Sequence, residues 1–158
     1  MDIPQTKELY SSHIPALHLL MNMGYQYLRP DEAMKSRGNS TNDVILRDVL
    51  IEYLKSRRFT YKGQSHSLSP NAIDQIVREL DSPSLNEGLL TASEQLYDRI
   101  TLGITVTEFI EGKKYHPTIQ IIDWNNLENN IFHVTDEFDV LNTHGTGLRR
   151  PDIACFIN

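Results

Sequence analysis

Residues 149–158 read RRPDIACFIN, which sets two guanidinium groups and one carboxylate directly ahead of an apolar run. Pro151 fixes its own φ and pushes Arg150 toward an extended conformation, so the chain approaches Ile153 in a set direction. Asp152 therefore falls at or near the first residue of a strand. A carboxylate withdrawn from water there is costly unless a cation or hydrogen-bond donors meet it. Two chemistries meet that demand. Asp152 is either a capping or salt-bridged group, with Arg149 or Arg150 as its partner, or a ligand for a hard divalent cation, which takes oxygen donors. One carboxylate does not hold such an ion usefully, so the second reading needs company. Asp123, Asp136, Glu137 and Asp139 lie on or beside neighbouring strands, although the polar side of that strand reads equally well as solvated.

Other chemistries find less support. Gly112-Lys113 lacks the upstream glycine and the following Ser or Thr of a phosphate-binding loop. Gly145-Thr146-Gly147 reads as a turn. Histidines 13, 18, 66, 116, 133 and 144 never take a helical metal spacing, and with one cysteine in the chain no zinc site is expected. His13 and His18 read as structural or solvent-facing. Cys155, inside an apolar run, reads as a small core residue whose setting raises its pKa and quenches reactivity. The basic groups Lys55, Arg57, Arg58 and Lys62, and Lys113 with Lys114, read as solvated helix ends and turns, or as contacts to a DNA backbone.

These residues must be positioned by helices first and strands afterwards. Ser12 with Pro15 opens a helix that runs to Gly24. Residues 25–41 read as a polar connector. Residues 43–59 form the clearest helix, with Ile45, Leu46, Val49, Leu50, Tyr53 and Leu54 on one stripe and Lys55, Arg57 and Arg58 at its C-terminal end. Ser69 caps a third helix, Pro70 is its first residue, and Ile73, Ile76, Val77 and Leu80 keep the period. A fourth helix spans Leu89–Leu102 and stops at Gly103. There the period changes from 3.6 to 2. ITVTEFI and TIQIID read as a hairpin joined by EGKKYHP. In IFHVTDEFDVL, residues Phe132, Val134, Phe138 and Val140 share one face, with His133, Thr135, Glu137 and Asp139 on the other. Residues 142–151 read as loop, and IACFI reads as a strand covered on both faces. The expected class is α+β, in an α/β/α arrangement, with a helical part over 1–102 and a mixed, mostly antiparallel sheet over 103–158 of one domain.

With 158 residues, 39% hydrophobic and 23% charged, the chain has the composition of a globular protein with one core. No apolar stretch approaches the roughly 20 residues that span a bilayer. The N-terminal twelve residues lack a signal-peptide layout, which makes the cytoplasm the expected compartment. A net charge of −6 argues mildly against non-specific nucleic-acid binding but leaves room for an acidic, metal-binding nuclease pocket.

RRPDIACFIN resembles the start of the nuclease motif in the restriction (R) subunit of type I restriction-modification enzymes. That family carries Arg-x-Asp, an apolar strand ending Phe-x-Asn, then Gly-x-Pro-Leu and, further on, Glu-x-Lys. GYQYLRPDEAMKSR, VILRDVLIEYL, GITV, IIDW and NNIFHV resemble earlier stretches of the same family in the same order, so the likeness runs from about Leu17 to Asn158. It implies a PD-(D/E)xK nuclease fold and DNA phosphodiester cleavage, with Asp152 as catalytic residue and Mg2+ ligand. Arg149 and Arg150 match flanking arginines, facing phosphate or partnering local carboxylates. Double-stranded DNA and the methylation and specificity subunits are the implied partners, and ATP belongs only to a motor that this chain lacks.

The departures are specific. Glu-x-Lys would fall shortly beyond Asn158, so the chain by itself is expected to hold half a site and to be inactive alone. Asp136-Glu137 stands where the family often has Asn-Gln. An apolar strand left without its neighbour is also expected to promote self-association. A non-catalytic docking module and an unrelated α+β domain are the competing readings.

Overall fold

The computed structural model describes residues 12–81, 88–142 and 145–158; the N-terminal stretch read for a signal peptide, apart from Ser12, and His144 lie outside them. The class is α+β, with five α-helices and mostly antiparallel strand pairs among the described residues. The described chain divides into two compact units, one of residues up to Leu46 with Ile131–Asn158, the other Arg47–Asn130.

The first unit begins with α1 (Ile14–Asn22), where His13 is already helically wound at φ −66° and ψ −57°. The residue at the helix N-cap is thus His13, one position after the Ser12 cap expected, and its side chain makes no capping bond. The helix ends as expected at Gly24, whose φ is +102°. Gly24 donates its N–H to the Met21 carbonyl and Tyr25 to that of Leu20, so two carbonyls left over at the helix end are satisfied. The segment read as a polar connector holds two elements, β1 (Gln26–Tyr27) and α2 (Pro30–Ser36). Pro30 suits the first helical position, where its missing N–H costs nothing, and the Arg29 N–H donates to Glu32 Oε2 at 3.2 Å. Connector composition concealed a helix only two turns long, too short to show a period.

The unit's sheet has the order β1–β8–β11, with β8 (Phe132–Asp136) central, β1 parallel to it and β11 (Ile153–Ile157) antiparallel. Alternation in β8 ends at Glu137, whose φ of +50° turns the chain away before β9 (Val140–Leu141). Thr135, read as part of a solvated face, is completely buried, because both faces of the central strand are covered at that point. Residues 142–151, read as loop, include β10 (Leu148–Arg149), which pairs with β9. The expected turn at 145–147 is present: the Gly145 N–H donates to the Asn142 carbonyl and the Thr146 N–H to Asn142 Oδ1. β11 forms as expected but is not covered on both faces. It lies at an edge of the sheet, with Cys155 exposed and Ile157 40% exposed. An unbroken apolar run does not distinguish an edge strand from a central one, and here that misplaced Cys155 in the core.

In the second unit, α3 (Arg47–Ser56) is shorter than its apolar pattern, since Ile45 and Leu46 precede it and Arg58 already belongs to a strand. Leu50, Tyr53 and Leu54 are its buried stripe. β2 (Arg58–Tyr61) and β3 (Gln64–Ser67) form a hairpin that the pattern did not reveal. Lys62-Gly63, with φ of +48° and +80°, makes its two-residue turn. α4 (Pro70–Asp81) follows the reading closely: Ser69 Oγ accepts the Ala72 N–H at 3.2 Å, and Ala72, Ile73, Ile76 and Leu80 are buried. Full burial of Ile76 and of Leu54 contributes about 1.5–3 kcal/mol for each side chain. α5 (Leu89–Leu102) has its expected bounds and ends at Gly103.

The hairpin expected after Gly103 is present in two short ladders. β4 (Ile104–Thr105) pairs with β7 (Thr118–Ile119), and β5 (Glu108–Ile110) with β6 (Lys113–Tyr115). Only Glu111-Gly112 turns the chain, both at positive φ, and Lys113–Tyr115 of EGKKYHP is strand rather than turn.

Candidate nuclease half-site

Asp152 is exposed and immediately precedes β11. Its backbone carbonyl accepts the Glu137 N–H at 3.3 Å, and the next residue, Ile153, pairs with Asp136. The β8–β11 ladder therefore gathers Asp136, Glu137 and Asp152 at one end. Among the described residues the Asp152 carboxylate has no ion-pair partner, and neither Arg149 nor Arg150 takes that role. At the other end Asn158 extends the ladder, its N–H donating to the Ile131 carbonyl at 2.8 Å and its Oδ1 accepting the Ile131 N–H at 2.7 Å. This fixes the register that places Asp152 beside Glu137.

The neighbouring carboxylates are occupied differently. Asp136 Oδ1 accepts the Tyr27 hydroxyl at 2.7 Å, while Oδ2 lies 3.6 Å from His13 Nε2. Burial, then the bond to Asp136 and its negative charge, push the Tyr27 phenol up to about 12. Asp139 binds Arg150 in a fork, Nε to Oδ1 at 2.6 Å and Nη2 to Oδ2 at 2.8 Å. That bond, with added attraction from Arg150 and Arg37, holds the Asp139 carboxyl below its ordinary range despite its desolvation. Arg37 is 1% exposed, stacks 4.0 Å above the Phe138 ring and donates Nη1 to the Asp43 carbonyl. Asp123, the remaining candidate partner, belongs to the second unit. There it accepts from Asn129 Nδ2, the Asn126 N–H and Arg57 Nη1, and bonding from Asn129 is the largest cause of its lowered pKa. Its environment is that of a structural hub.

Of the predicted site residues, the structure brings Asp152 next to Asp136 and Glu137, gives Arg150 to Asp139, and leaves Arg149 exposed in β10 opposite Val140. Among the described residues no three His, Cys, Asp or Glu side chains converge to hold a metal ion. Tyr27, His13 and Arg37 were not singled out as site residues. Tyr27 and His13 reach Asp136 only through strand pairing and helix packing far along the chain, and nothing local in KSRGNS marks Arg37 as a buried cation.

Ultraviolet titration checks this geometry. Six of the seven tyrosines should remain in the difference spectrum of Tyr27→Phe, and the missing one should ionise near pH 12. Because the raised value is the folded one, the stabilisation is fully present below about pH 10 and disappears as pH rises through the folded pKa. Asp136→Asn should bring that ionisation down. A Tyr27 titration at the ordinary value in the unsubstituted protein would refute the contact.

The family model for the type I restriction enzyme R protein N terminus matches residues 5–158. Among curated proteins, the chain is similar to a putative type I restriction enzyme MjaIXP endonuclease subunit of Methanocaldococcus jannaschii. The identity is 26% over 146 residues, covering 90% of this chain and 13% of that relative. No solved structure matches it. No helix among the described residues is long and apolar enough to cross a membrane. A match over nearly the whole chain, with RRPDIACFIN at the end of it, shows that the chain belongs to the family of type I restriction enzyme R protein N termini.

Proposed function

We propose that this chain supplies the first half of a metal-dependent DNA endonuclease centre of the PD-(D/E)xK kind, within an R subunit that works with methylation and specificity subunits. One observation carries the reading: Asp152 stands exposed at the head of a paired strand, with its carboxylate unengaged by any described ion pair. A structural carboxylate at that place would be expected to close on one of the two adjacent arginines. The similarity to an endonuclease subunit supports the same reading.

The described residues do not make a metal site by themselves. Asp152 and Glu137 are the carboxylates at this end of the ladder without a described ion pair, because Asp136 is already committed to Tyr27 and faces His13. No step of cleavage is therefore assigned to Mg2+ held by this chain alone. Completion is expected from the Glu-x-Lys half that the family motif places after Phe-x-Asn. The same incompleteness favours a second reading, in which the chain docks other subunits and cuts nothing.

The test compares two preparations on supercoiled DNA with Mg2+. The 158-residue chain should leave the DNA intact, and the complete R subunit with its partner subunits and ATP should cut it. Cleavage by neither would leave the docking reading standing. Robust nicking by the short chain would overturn the half-site, since another carboxylate would then complete the centre.

A further inference from the structure

We infer that Arg150 is a positioning residue rather than a DNA contact: through Asp139 it fastens the chain where Asp152 leaves the β9–β10 ribbon. The functional consequence rests on the nuclease reading above; the clamp itself does not.

Arg149 and Arg150 are consecutive but do different things. Both Arg150 donors named above are fixed on the two oxygens of Asp139, a planar fork that an ammonium group cannot copy. Asp139 is held in turn, since its side chain is only 20% exposed and the buried Arg37 guanidinium adds electrostatic attraction. Phe138, on which Arg37 stacks, is itself buried and packs 5.1 Å from Phe156 of β11. The segment from Arg150 to Ile153 is therefore pinned on both sides. Arg150 is bound to Asp139 before it, and Asp152 receives the Glu137 N–H after it. Between them Pro151 leaves little backbone freedom. Arg149 has no described partner and lies exposed, so it is the arginine left to meet a phosphate.

Kinetics and amide exchange together test the clamp. In the complete enzyme complex, Arg150→Lys should lower kcat for cleavage by about 10²-fold, the effect of a small misplacement of a reacting group, while KM for DNA stays within about twofold. Asp139→Asn should give the same split, and the double variant should be no worse than either single one. Arg149→Ala should instead raise KM and flatten the salt dependence of binding by about one phosphate contact. On the 158-residue chain, Arg150→Ala should speed exchange of the Glu137 amide about tenfold, and Arg149→Ala should not. Full activity of Arg150→Lys, or weakened DNA binding as its main defect, would overturn the inference, as would unchanged Glu137 exchange in Arg150→Ala. If the unsubstituted complex does not cut DNA, the nuclease reading falls and the exchange result alone decides the clamp.

Discussion

Asp152→Ala in the complete R subunit should reduce DNA cleavage by about 10³-fold or more while leaving the protein folded. On the proposed nuclease reading, losing a carboxylate ligand from a metal-assisted phosphoryl transfer removes several kcal/mol of transition-state stabilisation, and about 4 kcal/mol already amounts to 10³ in rate. The structural side of the prediction is equally definite. Asp152 is exposed and its carboxylate joins no described ion pair, so truncation removes no buried contact and leaves no orphaned cation. The melting temperature should stay within a degree or two, because exposed substitutions of this kind change stability by about 0.5 kcal/mol or less. Loss of activity together with loss of fold would recast Asp152 as structural. Retained cleavage would remove it from the centre. ATP hydrolysis and DNA binding, measured alongside, separate a failed cut from a failed assembly.

Gly103→Ala should be the most damaging single-atom addition in the second unit. Gly103 ends α5 at φ +94°, a conformation an L side chain adopts with strain. A Cβ there would also stand 2.6 Å from the Ile119 carbonyl oxygen, which belongs to the β4–β7 ladder and cannot swing aside as a side-chain tip would. Backbone strain of about 1–3 kcal/mol in this essentially glycine-only region and overpacking of about 1–3 kcal/mol act together, so a loss near 3 kcal/mol is expected in urea unfolding. Gly63→Ala is the natural control. It has φ +80° but open space around the added atom, so it should cost only the conformational part. Equal losses at the two positions would show that the Ile119 contact is not what makes Gly103 necessary.

The sequence was most informative where a local rule and the tertiary outcome coincide. Ser69-Pro70 with the spacing of Ile73, Ile76 and Leu80 marks α4, because capping and amphipathicity act within a few residues. Leu89–Leu102 followed by Gly103 is legible for the same reason. Short elements were not. β1 and α2 are only 2 and 7 residues long, and β2–β3 is a hairpin of 4-residue strands, all too brief for a period to outweigh polar composition.

For the site, the amino-acid order by itself determined that Asp152 follows Arg150-Pro151 and leads an apolar strand, and that the surrounding pieces follow the order of a type I restriction R protein N terminus. Those features lie within a few bonds of one another or in linear succession, so they survive without a fold. Only the tertiary structure decided which carboxylate each donor takes and which stays open among the described residues. Arg150 goes to Asp139, Tyr27 to Asp136, and Asp152 is left unengaged. It also left Cys155 and Ile157 exposed in a strand read as covered on both faces. Pairing of charges and order of strands are set by contacts between residues distant in the chain, where several partners are chemically equivalent and geometry alone selects among them.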